Sequence, residues 1–206
     1  MNPIMHIKMA EGGMIDIELF PDITCNTVRS VIWLANQGFY DGRDFYRVVK
    51  DFVLQTDCDI RPGIYETGCD YIIDGEYMHS GYTVKQPAFG KYMVGMAGHG
   101  KDSNISSGSS FFIQTSTDNS LDGDFAVIGQ VVDGFEVVDR INNTPCNQKL
   151  FREKISFHTP KKPQRIERLW IDTHGKFYDP PKTKKPSAKY LKREKELDNL
   201  IDFYRD

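Results

Sequence analysis

The sequence holds no apolar run approaching the roughly 18 residues of a membrane-spanning helix, and its opening, Met1-Asn2-Pro3-Ile4, has none of the regions of a secretory signal. These absences predict a cytosolic chain. Cysteine is scarce. Cys25, Cys58, Cys69 and Cys146 stand apart with no C-x-x-C pair, which predicts reduced structural thiols and no disulfide framework. Histidine is equally thin: His6, His79, His99, His158 and His174 form no H-x-x-x-H and none adjoins a cysteine pair, so neither a metal nor another cofactor is expected. There is no G-x-S-x-G elbow, and the neighbouring carboxylates Asp57 and Asp59 have no histidine to orient, which removes support for nucleophilic or hydrolytic chemistry.

What is present suits one globular domain with an appendage. Of 206 residues, 39% are hydrophobic and 27% charged, enough for a real core and too apolar for a disordered chain. Aromatics at 12% and 17 glycines favour strands and turns over a helical bundle. The net charge of −3 conceals a split. Residues 1–148 carry 10 basic against 20 acidic side chains, and residues 149–206 carry 16 against 9. Nucleic-acid binding is disfavoured, because acids interleave with the tail's lysines and dilute the field that a phosphate backbone would feel. The expectation is a basic tail lying against its own acidic body.

Along the chain, Met5, Ile7 and Met9 alternate with Ile4, His6 and Lys8, then Ile15, Ile17 and Leu19 alternate with Asp16 and Glu18 across Glu11-Gly12-Gly13. That is a β-hairpin with one buried face. Val28, Val31, Ile32 and Ala35 follow at helical spacing, with Thr24 as expected N-cap and Gly38 as the left-handed stop. Short strands are predicted at 45–49 and 52–55, an excursion of loops over 58–90, and further strands at 91–97, 111–115 and 126–132. A short helix at 135–141 and a strand at 166–172 complete the core pattern. Residues 146–165 read as a polar, basic segment and 179–186 as a stiff extended linker. Ser187 is then placed to cap a terminal helix carrying Leu197, Leu200, Ile201 and Tyr204 on one side. The resulting organisation is 1–145, a barrel or sandwich core; 146–178, a basic segment with the final strand; and 179–206, linker and terminal helix.

One motif is a decoy. Gly95-Met96-Ala97-Gly98-His99-Gly100-Lys101-Asp102 has Walker A spacing, but Asp102 stands where a magnesium-binding hydroxyl belongs. It reads as a glycine loop between strands. Two other blocks carry the information: Phe45-Tyr46-Arg47-Val48-Val49-Lys50-Asp51-Phe52-Val53-Leu54-Gln55, and Ser109-Ser110-Phe111-Phe112-Ile113-Gln114 followed by Leu121-Asp122-Gly123-Asp124-Phe125-Ala126-Val127. Period-two geometry puts Arg47 on an apolar strand face, where it is costly unless paired. A salt bridge to a carboxylate and a guanidinium at the edge of an apolar pocket are both open readings. Phe112 and Leu121 taken alone could equally be core.

The first block resembles the cyclophilin segment F-H-R-V-I-x-x-F-M-x-Q-G-G-D, and the second resembles that family's G-S-Q-F-F-I and L-D-G-x-x-x-x-F-G-x-V segments. The opening hairpin, Asn26-Thr27-Val28 and Gly38-Phe39-Tyr40-Asp41-Gly42 are similar too, so the resemblance spans roughly 4–141, most clearly to prokaryotic single-domain members. It implies a mainly β protein: a closed eight-stranded antiparallel barrel capped by two helices, with the active site on the outer face and the C-terminal extension outside it. The implied activity is cofactor-free cis–trans isomerisation of X-Pro bonds in folding or unfolded proteins and other proline-containing peptides. Carried over by position, Arg47, Phe52 and Gln55 are catalytic, and Val53, Ala97, Gly98, Ser110, Phe112, Leu121 and Phe125 bind substrate. The pattern departs at Tyr46 (histidine in the family), Val53 (methionine), Thr56-Asp57 (Gly-Gly), Gly98 (asparagine), Ser110 (glutamine), Ser120 (an aromatic) and Phe125 (histidine). These departures imply a reshaped rim and weak cyclosporin binding. A proline-binding adaptor with faded catalysis is the alternative, and the terminal helix is expected to dock on the barrel or on a second copy.

Overall fold

The computed structural model describes residues 1–56, 69–98, 104–151 and 155–186. The predicted alternation builds β1 (Ile4–Met9) and β2 (Met14–Leu19), whose Met5, Ile7, Met9, Ile15, Ile17 and Leu19 are buried on one face. The rest of the main sheet comprises β3 (Arg47–Val49), β4 (Val53–Gln55), β5 (Ile72–Asp74), β6 (Met93–Gly98), β7 (Ile105–Gln114), β8 (Ala126–Asp133) and, later in the chain, β11 (Ile166–Asp172). The antiparallel order runs β11-β1-β2-β8-β6-β7-β4-β3, with β5 also on β7. Helix α1 (Cys25–Ala35) packs on β7, β8 and β11, and α2 (Phe135–Asn142) on β2, β3 and β4.

The closed eight-stranded barrel is thereby corrected to nine strands curved into an open half-barrel. Its end strands, β11 and β3, share no ladder. The residues just before them meet instead: Phe45 N–H donates to the Gln164 carbonyl (2.9 Å) and Ile166 N–H to that of Arg43 (2.7 Å), around a single bridge between Asp44 and Arg165. β3 is only three residues long, and the chain between α2 and β11 folds on itself instead of extending it. That chain, read as a polar segment, is a hairpin of β9 (Cys146–Phe151) and β10 (Ile155–Pro160), with β10 laid against β3.

Other expectations shift as well. The excursion over 58–90 contains β5 and a turn of 3-10 helix at Met78–Ser80, and β7 starts six residues before the predicted strand. Ser106, Ser109 and Ser110 are buried there because large groups lie over them, and a Cβ at Gly108 would sit 2.4 Å from the Cys69 sulfur. The strand predicted at 91–97 is β6, which runs through Gly98, so the first half of the glycine motif read as a loop lies in the sheet. The predicted linker is strapped down. Lys182 exchanges two hydrogen bonds with the Asn26 side chain (2.7 and 3.0 Å), and Lys184 pairs with Ile72 in both directions. Basic residues of the tail meet acids of the body at Lys162–Glu11 (2.6 Å), Arg165–Asp44 (3.1 Å) and Lys184–Asp74. Asp57, Asp59 and the proposed terminal helix with Leu197, Leu200, Ile201 and Tyr204 lie outside the described residues.

Thr24 does not cap α1 through its side chain; its hydroxyl donates to the Val127 carbonyl at 2.9 Å. The cap comes from far along the sequence. The buried Glu76 carboxylate accepts from Asn26 N–H (3.1 Å), Thr27 N–H (2.8 Å) and the Thr27 hydroxyl (2.7 Å), satisfying donors a helix start leaves open and placing negative charge at its positive end. At the other end Gly38 takes φ +66°, and Phe39 N–H returns to the Leu34 carbonyl (3.1 Å), as predicted for a left-handed stop. Glu76→Ala strands these donors and is expected to cost about 2 kcal/mol, seen as a lower urea midpoint at unchanged slope. A shift worth less than about 0.5 kcal/mol would show that water caps the helix equally well.

Candidate active site

The site grows from one row across the sheet. Arg47 on β3 faces Gln55 on β4, Gln55 faces Phe112 on β7, Phe112 faces Gly95 on β6, and Gly95 faces Val127 on β8. Because successive residues on a strand point to opposite faces, Leu54, Phe111 and Ile113 enter the core inside the half-barrel while Val53, Gln55 and Phe112 face outward. The outward face carries its own apolar cluster. Val53, Phe89, Met93, Phe112, Leu121 and Val127 are buried there, flanked by Phe20, Val49, Phe52, Ala97 and Phe125.

Two devices fix this layer. Gly95 is needed because the Phe112 ring lies directly over it: a Cβ would come within 2.4 Å of that ring and 2.8 Å of Phe89. Phe112 is stacked on Phe89 (centroids 5.7 Å) and meets Phe125 edge-on (5.5 Å). The β3–β4 turn that presents Phe52 is held by Asn142 of α2, which accepts from Asp51 N–H (2.9 Å) and donates to its carboxylate (3.0 Å), stabilising Asp51 at φ +56°.

Arg47, Phe52, Val53, Gln55, Ala97, Gly98, Phe112, Leu121 and Phe125 line one cleft of about 210 Å³. Nine of the ten residues carried over from the resemblance are thus brought together. Ser110 is the exception: it stands buried behind Gln55, its hydroxyl donating to the Thr56 carbonyl (2.7 Å) and accepting from Gln55 Nε2 (3.3 Å). The Gln55 Oε1 accepts from Arg47 at 3.1 Å, the only orientation open to it since a guanidinium only donates. Among the described residues no carboxylate pairs with Arg47, so the salt-bridge reading fails there. Burial lowers the Arg47 pKa from its ordinary value, and the Tyr46 phenol partly opposes that shift.

Ser120 is exposed and turned into its own loop, where its hydroxyl and N–H hold the Asp118 carboxyl down at about 2. The rim is therefore open where the resemblance places an aromatic. Sequence reasoning missed Phe89 and Met93 as supports of the cleft; Phe89 fell in the segment read as loops, and only its aromatic character hinted at it. It also missed His158 on β10, whose pKa is lowered by burial and then by the positive charge of Arg47.

Residues 4–169 match the family model for cyclophilin type peptidyl-prolyl cis-trans isomerase/CLD. The chain belongs to that cyclophilin-type peptidyl-prolyl cis-trans isomerase family. Over 149 residues it is 35% identical to mouse peptidylprolyl isomerase domain and WD repeat-containing protein 1, covering 71% of this chain and 21% of that protein, about a fifth of its length. It is also 35% identical over 138 residues to peptidyl-prolyl cis-trans isomerase B of Bacillus subtilis, covering 67% of this chain and 90% of that one. A crystal structure of a Cryptosporidium parvum cyclophilin type peptidyl-prolyl cis-trans isomerase shares the fold, with a TM-score of 0.67 at 24% identity over 83% of this chain and 97% of that one. The same parasite protein has been crystallised in the presence of the dipeptide Ala-Pro.

With the folded pKa of His158 depressed below 6.5, the unfolded chain takes up its proton first as pH falls. The stability this group contributes is complete above the ordinary histidine value and lost as pH drops through the lowered one. Urea midpoints measured from pH 7.5 down to 5 are expected to fall less steeply in His158→Gln than in the parent. Parallel profiles would contradict the lowering of the His158 pKa by burial and by the charge of Arg47.

Proposed function

We propose that this chain catalyses rotation about X-Pro bonds in folding or unfolded polypeptides, with Arg47 as the group that lowers the barrier. One observation carries the reading: a guanidinium in an apolar cleft, hydrogen-bonded to a glutamine amide and, among the described residues, to no carboxylate. The barrier to rotation is ~18–20 kcal/mol because the amide loses resonance. At the twisted geometry the prolyl nitrogen becomes pyramidal and exposes a lone pair that the planar amide lacks. An Arg47 N–H donates to that lone pair only there, so its stabilisation is specific to the transition state. Low dielectric strengthens the bond, and burial of Arg47 has already removed part of its hydration.

Phe52, Val53, Phe112 and Leu121 grip the pyrrolidine ring, which fixes one side of the bond as the other turns. Gln55 is oriented by Arg47 and Ser110 and keeps a second amide N–H for a substrate carbonyl. An acceleration of ~10⁵-fold requires about 7 kcal/mol, within reach of one charged donor, a desolvated cleft and positioning together. No nucleophile or general base enters. The Ala-Pro dipeptide used with the structural neighbour is of the substrate class proposed here.

The test is cis–trans exchange in a short Ala-Pro peptide followed by NMR. The parent should accelerate it, and Arg47→Ala should lose ~100-fold while keeping its circular dichroism, the usual scale for one transition-state donor. Binding without acceleration in the parent would establish the adaptor reading instead, which the altered rim at Ser110, Ser120 and Phe125 favours. Cyclosporin should inhibit only weakly, because Ser120 is exposed and turned away and Gly98 presents no side chain. Nanomolar inhibition would contradict that account of the rim.

A further inference from the structure

A second, larger cleft of about 530 Å³ shares Phe125 with the first and does not include Arg47. Tyr82, Val84, Pro87, Phe89, Phe125 and Val127 line it. Two of these belong to the aromatic ridge that bounds the proline cleft, since Phe89 and Phe125 both contact Phe112. The two clefts therefore adjoin at Phe125, which lines both. In the resemblance this position is a histidine; phenylalanine makes the divider apolar on both sides.

The second cleft is also preformed. Gln86 spans its base, accepting from Val127 N–H (2.8 Å) and donating to the Glu76 carbonyl, so the segment Tyr82–Phe89 is tied both to β8 and to the residue that caps α1. Phe89 N–H donates to the Asp122 carboxylate (2.6 Å), which locks this wall to the loop bearing Leu121. At its mouth Met78 and Val84 expose 62% and 42% of their surface, unusual for large apolar side chains flanking a concavity. An apolar hollow with fixed walls and an apolar lip is the form a side-chain pocket takes.

We infer that this cleft is a second anchoring site for the client polypeptide and takes one bulky apolar side chain of the same segment whose proline enters the first cleft. The inference rests on the proline-binding reading of that first cleft and adds a selection rule to it: clients are distinguished by an apolar residue at a fixed separation from the proline.

The full chain is titrated with a peptide series in which a single leucine is moved from four residues before one proline to four residues after it, with serine and glycine elsewhere. One position should bind about tenfold more tightly than the leucine-free peptide, the scale of burying one such side chain. Val84→Asp should abolish that gain and Val84→Leu should keep it, while both leave exchange in the short Ala-Pro peptide unchanged. A flat series, a gain that survives Val84→Asp, or a gain that appears only when the chain is cut after Pro186 would overturn the inference, the last by assigning the cleft to the chain's own end. Failure of the isomerase reading shows separately, as absent exchange in the short peptide.

Discussion

Arg47 is withdrawn from water beside a neutral amide, and keeping a guanidinium so placed costs stability that a carboxylate partner would ordinarily offset. Its site is built around that expense. Gln55 accepts from it, Ser110 orients Gln55, the Thr56 carbonyl anchors Ser110, and Asn142 of α2 clamps the turn between the strands that carry Arg47 and Gln55. In the proposed mechanism a carboxylate at this point would satisfy the charge in the ground state and leave less of it for the prolyl nitrogen lone pair. Among the described residues the polar chain therefore holds the arginine in place without neutralising it.

The sheet makes this economical because at β4, β6, β7 and β8 it is apolar on both faces. Strand alternation sends Leu54, Phe111 and Ile113 inward and Val53, Gln55 and Phe112 outward, so one set of backbone ladders supports both the core and the cleft. Gly95 allows Phe112 to lie flat across β6, and Phe89 and Phe125 brace that ring from two directions. A cleft floored by strands moves little, which suits a reaction in which one side of a bond must stay still. The same bracing gives the neighbouring cleft its fixed walls.

Much of this was legible in the sequence. The hairpin of β1 and β2 and helix α1 follow from alternation and period, whereas the Arg47–Gln55 contact depends on a strand register that neither shows; nine of the ten positions carried over from the resemblance line one cleft. The failures share a cause. β9 and β10 were hidden because the stretch around them is basic on average, which masked the apolar Leu150, Phe151, Ile155 and Phe157 within the strands. The first half of β7 was hidden because serine and glycine read as loop, although small residues are what close packing under Tyr71 and α1 demands. The α1 cap was assigned to Thr24 by local rules, and Glu76, fifty residues away, outcompeted it. Closure of the barrel was inferred from family likeness, and three-residue β3 with a hairpin beside it left the sheet open.

The described part of the extension is thus packed on the body. β11 completes the sheet at β1, the strap over 179–184 crosses α1 to β5, and the β9–β10 hairpin reaches β3, bringing His158 under the influence of Arg47. Whether Arg47 acts on the ground state or on the transition state is tested by comparing, for one Ala-Pro peptide, the dissociation constant and the bound-state exchange rate of the parent and of Arg47→Leu. Selective action in the transition state predicts a dissociation constant changed by less than about threefold while exchange falls by ~100-fold. A dissociation constant that weakens as much as the rate falls would show that Arg47 holds the ground state, and would contradict the account.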